Sequence, residues 1–165
     1  MNARWFPSSR SVVWLIVIFA VAFVLSAKYH GYRPQQNTPI HEVRVMELVG
    51  DPACDPTRHM CNALGGDVVL GVRLLGEVGA LKPFTVAVQV NGLPPGAVDG
   101  VQVEFVMPHM DMGLNRYVLK AAGTNQWQGA VTLPICSTGR RDWQAIVRAN
   151  TESAAYVGRF PFVLH

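Results

Sequence analysis

Met107-Pro-His-Met-Asp-Met-Gly113 packs three thioethers, an imidazole and a carboxylate into seven residues. Thioethers favour soft monovalent copper and remain available where thiols are lost to disulfides; imidazole suits either oxidation state of copper. Met107, His109, Met110 and Met112 therefore make a candidate three- or four-coordinate Cu(I) set. Zinc would call for more His or Cys than this segment holds. On an extended backbone Met110 and Met112 share one side while His109 and Asp111 take the other, and a bend at Pro108 brings Met107 or His109 round. The competing reading is that flexible methionines plug an open end of the fold or form an adaptable contact surface.

Cysteine supplies the second chemical signal. Cys54, Cys61 and Cys136 are an odd number, so one disulfide and one free thiol is the arithmetic, with three pairings open. Cys54 and Cys61 bracket the loop-like "CDPTRHMC" and can close a small ring; either can instead reach Cys136. The leftover thiol is then an inert buried group or a soft ligand. His59, Met60 and Cys61 are consecutive, and neighbours on an extended chain point opposite ways, which favours loop residues around a disulfide over a three-ligand site.

Alternation of apolar and polar residues gives the elements that must position these groups. In "FTVAVQV" Phe84, Val86, Val88 and Val90 share a face, and in "VQVEFVM" Val101, Val103 and Phe105 point inward with Gln102 and Glu104 outward. Further strands are expected at 42–48, 68–75, 115–121, 126–133, 142–149 and 156–164, separated by turn-forming runs such as "NGLPPGAVDG" and "STGRRD". No stretch after residue 40 carries a helix period. Seven or eight short strands predict an all-β fold, an antiparallel immunoglobulin-like β-sandwich, with Trp127, Val131, Leu133, Trp143, Ala145 and Val147 in its core. The Met-rich segment follows one strand and precedes another, so it is a loop at one end, stopped by Pro108 and released at Gly113. Asn115 and Arg116 behind it are expected to hydrogen-bond loop carbonyls.

Ahead of this domain, Ser11–Ala27 ("SVVWLIVIFAVAFVLSA") has no charge and nearly the length needed to cross a hydrocarbon core. A cleaved signal peptide would leave Leu25 at the −3 position, a poor fit, whereas Trp5, Trp14, Tyr29 and Tyr32 flank the run as interfacial aromatics do. The reading is a single-pass transmembrane signal anchor over 1–30, a tether over 31–40 and an exported domain over 41–165. The C-terminal domain is expected to face an oxidising space, the periplasm behind an inner membrane. Arg4 and Arg10 before the span balance Lys28 and Arg33 after it, so charge leaves orientation undecided.

Four of the fourteen basic residues lie at or before Arg33 and no acidic residue does, which leaves ten basic against eleven acidic beyond it. The exported part is about neutral, and nucleic-acid binding has no electrostatic support. The five histidines are dispersed, and there is no phosphate loop, paired-acid motif or His-Glu-x-x-His pattern, so no enzyme is expected.

The C-terminal half also resembles a known group. Met110-x-Met112-Gly113-x-Asn115-Arg116, Gly123, Trp127-x-Gly129, Leu133-Pro134-x-Cys136, Gly139 and Trp143 are similar to features of the YtkA-like and FixH-like membrane-anchored periplasmic domains, and "CDPTRHMC" looks like the paired cysteines of one branch. The resemblance spans roughly residues 45 to 165. It implies one N-terminal helix, an exported immunoglobulin-like domain without a catalytic centre, copper handling, and a membrane complex such as a cytochrome oxidase or its assembly factors as partner. The expectation is a copper-binding assembly factor delivering Cu(I) from the Met-rich loop; the alternative is a metal-free accessory subunit using the same loop as a contact patch.

Overall fold

A computed structural model describes residues 14, 18–23, 43–111 and 113–164. The chain divides into two compact units, Met1–Ile40 and His41–His165. In the first, Trp14 and Ile18–Phe23 are helical. Among the described residues no helix is long and apolar enough to cross a membrane. Most of the expected anchor and all of the expected tether lie outside the described residues.

The second unit is all-β. Among the described residues its ten strands are β1 (Arg44–Glu47), β2 (Val49–Gly50), β3 (Cys61–Gly65), β4 (Val68–Leu75), β5 (Pro83–Asn91), β6 (Gly100–Val106), β7 (Arg116–Gly123), β8 (Gln126–Thr132), β9 (Asp142–Asn150) and β10 (Ala154–Val163). They follow the order β1-β10-β9-β6-β7-β8-β5-β4-β3-β2. Pairing is antiparallel except between β1 and β10, which run parallel with Arg44 opposite Ala154 and Glu47 opposite Val157. A wholly antiparallel sheet was expected. The exception arises because the first strand joins the edge beside the last one instead of forming a hairpin.

Two strand switches tie the ladders together. The first half of β7 pairs with β6, Val101 opposite Leu119, and its second half pairs with β8, Lys120 opposite Gln128, with an irregularity between Ala121 and Gly123. At the other edge the chain pairs with β10 up to Glu47 and with β3 from Val49. Buried Leu48 lies between the two halves. Its side chain crosses Gly65, where a β-carbon would sit 2.4 Å from Leu48 Cδ2, so only glycine lets the crossing close.

The expected inward faces are the observed ones. Phe84, Val86, Val88 and Val90 are buried, as are Val101, Val103 and Phe105. Val131, Leu133, Trp143, Ala145 and Val147 join the same core, while Trp127 packs against it half-buried. Phe105 is the hub, meeting the rings of Phe84, Tyr117 and Phe162 edge-on at centroid separations of 5.8, 6.3 and 6.1 Å. Each such pair adds about 0.5–1.5 kcal/mol beyond its buried area.

Candidate functional site

The alternation that buries β6 runs one residue past its end. Val101, Val103, Phe105 and Met107 share a face, and Met107 is only 2% exposed inside the core. Strand register turns Met107 inward, so of the expected ligand set this side chain packs into the core. The chain then reverses. Met110 N–H donates to the Met107 carbonyl at 3.2 Å. Pro108 fixes a negative φ at the second position of this turn and His109 follows with φ at 63°, the pattern of a type II turn. Glycine is the usual residue there; a histidine in left-handed backbone costs strain and marks a position worth a functional explanation. His109 is exposed at the corner. Beyond it, Asp111 Oδ1 accepts from Gly113 N–H at 2.8 Å, an Asx turn that leads back into β7. Met112 lies outside the described residues.

Met110 points to a partner distant in sequence. Half-buried against the core, its Sδ lies 3.6 Å from Cys136 Sγ. Cys136 comes from the loop after β8, a tight turn in which Gly139 N–H donates to the Cys136 carbonyl at 3.2 Å. Its thiol sits 3.0 Å from Thr138 Oγ1. The Thr138 hydroxyl above all, then the backbone at Thr138 and Arg140 and the Arg140 charge, pull the thiol pKa below its ordinary value. A part-buried thiol with its pKa lowered in this way is more readily deprotonated, and the thiolate is the form of cysteine that ligates metals.

Charge frames the pair. Arg140 Nε donates to Asp142 Oδ1 at 2.9 Å and its Nη2 meets Asp142 Oδ2. Arg140 holds the Asp142 carboxyl below the usual range, with His109 adding a smaller attraction. Behind the loop, Arg116 pairs with Glu104 across the strands at 2.8 Å instead of capping loop carbonyls. Asn115 is buried; its carbonyl accepts from Phe105 N–H at 2.9 Å and its side-chain Nδ2 has no partner among the described residues.

The open question of pairing has a definite answer: Cys54 and Cys61 form the disulfide, with an S–S distance of 2.02 Å and Cα atoms 5.8 Å apart. Cys136 is the free thiol. Between the bonded pair, His59 brings its imidazole near both sulfurs, the three potential ligand atoms lying within 4.8 Å of one another. Met60 turns the opposite way, towards Gly71 on β4. A cleft of about 360 Å³ runs from Cys54 and Arg58 to Pro108, Asp142 and Trp143, so the disulfide loop and the Met-rich turn border the same hollow.

Comparison with protein-family models, curated proteins and solved structures finds no match for this chain.

Proposed function

We propose that the tip formed by the Met-rich turn and the Cys136 loop holds Cu(I). On this reading the chain is an assembly factor that delivers the ion to a membrane oxidase or related complex. One observation carries the reading. With metal–sulfur bonds of about 2.3 Å, two sulfurs on one ion stand roughly 3.8–4.0 Å apart, and Met110 Sδ and Cys136 Sγ are already 3.6 Å apart. A thioether and a thiol are soft donors suited to monovalent copper. His109, exposed on the same turn, is the third donor, and Met112 completes the set. In this proposal the strands form an immunoglobulin-like sandwich in the periplasm, the Ser11–Ala27 segment anchors it in the inner membrane, and the YtkA-like and FixH-like resemblance supports both.

The metal-free reading has its own observation. Leu114 and Ile135, next to the two loops, are 78% and 61% exposed, an apolar rim suited to contact with another protein. Titrating the full chain with Cu(I) against a competing chelator separates the two. Copper delivery requires uptake of one ion per chain, weakened at least tenfold by Met110→Leu with Cys136→Ser and unchanged by Met107→Leu. Absence of uptake leaves the accessory-subunit reading standing.

A further inference from the structure

We infer that the Cys54–Cys61 loop is a second, redox-gated metal site: reduction of the disulfide opens a Cys54/His59/Cys61 ligand set for a thiophilic divalent cation such as zinc. This goes beyond the copper proposal and uses none of its ligands.

The geometry assembles three donors before any metal arrives. Cys61 begins β3 and is 1% exposed, so its sulfur is fixed in the core wall. His59, two residues earlier, shares its side of the chain, and its carbonyl oxygen lies 3.9 Å from Cys61 Sγ. Cys54 comes from the turn in which Cys54 N–H donates to Asp51 O at 3.1 Å. The sulfurs and a ring nitrogen fall within 4.8 Å of one another. Ligands around a tetrahedral zinc stand about 3.5–3.8 Å apart, so the set closes on an ion through small movements of the exposed His59 side chain and the Cys54 turn. Two thiolates and one imidazole neutralise a divalent charge and leave the fourth position for water or a ligand from a partner.

The gate is reached from one side. Cys54 lines the cleft of about 360 Å³ while Cys61 lies beneath, so exchange starts at Cys54. A dithiol reductant attacks Cys54 Sγ as its thiolate. The Cys54–Cys61 bond breaks, and Cys61 leaves as a thiolate that takes up a proton. The second thiol of the reductant then closes its own disulfide and releases Cys54, so two electrons and two protons have passed to the chain. Binding of the cation expels both thiol protons.

The test uses the full chain carrying Cys136→Ser, which leaves Cys54 and Cys61 as the only thiols, reduced with a phosphine and titrated with Co²⁺. Expected are uptake of one Co²⁺ per chain with thiolate charge-transfer absorption, displacement by Zn²⁺, and no uptake by the oxidised chain. His59→Ala, an exposed position whose replacement leaves the disulfide in place, weakens the reduced site at least tenfold. Met110→Leu leaves it unchanged, which separates this outcome from any failure of the copper proposal. The inference is overturned if the reduced chain takes up no Co²⁺, if reduction abolishes the β circular-dichroism signal, or if His59→Ala binds as tightly as the parent.

Discussion

Two sulfur pairs have met opposite fates. Cys54 and Cys61 are covalently joined, while the Cys136 thiol donates a weak hydrogen bond to Met110 Sδ at 3.6 Å and no covalent bond joins them. The first pair closes a loop of seven residues' separation and begins a strand; the second joins two turns 26 residues apart. One device constrains the chain and the other leaves donors open. Their difference shows that sulfur chemistry here is set by the partner: a thioether cannot oxidise to a crosslink with a thiol, so pairing Cys136 with Met110 keeps that thiol free.

Replacing both Cys54 and Cys61 by Ala breaks the comparison most forcefully. Loop-closure entropy for a ring of this size predicts a loss of about 2.5 kcal/mol in urea unfolding, whereas Cys136→Ser, at a part-buried loop position that crosslinks nothing, should cost about 1 kcal/mol or less. Equal losses would mean that the uncrosslinked pair is also structural. His109→Gly probes the turn from the other direction. Relieving left-handed backbone at φ 63° should raise stability by about 1 kcal/mol. In the copper proposal the same change lowers Cu(I) affinity, so stability and binding move in opposite senses. Thr138→Val gives the smallest effect. The Thr138 hydroxyl is the main cause of the lowered Cys136 pKa; losing it raises the pKa, and the pH midpoint of Cys136 alkylation shifts upward with no change in fold.

Much of the frame was legible because period-two burial is a local signal. Val68–Leu75 was read with its observed bounds, and the inward faces of β5 and β6 followed directly from alternation. Strand β3 is not legible: its buried positions are Cys61 and Ala63, too small to stand out, and it ends on the first residue of the Gly65-Gly66 pair. Alternation from Val101 also points Met107 inward, although Pro108 beside it reads as the start of the loop. The Met110–Cys136 approach was hidden for another reason. It depends on how β7 changes partners and returns the β8 loop to the end of β6, and no local pattern encodes that. Nor does residue type reveal that His109 occupies a left-handed position usually given to glycine.

The parallel β1–β10 pairing has a mechanical consequence. Four register pairs from Arg44↔Ala154 to Glu47↔Val157 lie side by side, and Leu48 N–H extends them with a 2.8 Å bond to Val157 O. Tension entering at Arg44 and leaving at Val163 would run along both strand axes, loading these bonds in shear. They must yield together, whereas an antiparallel edge pulled from adjoining ends peels one bond at a time.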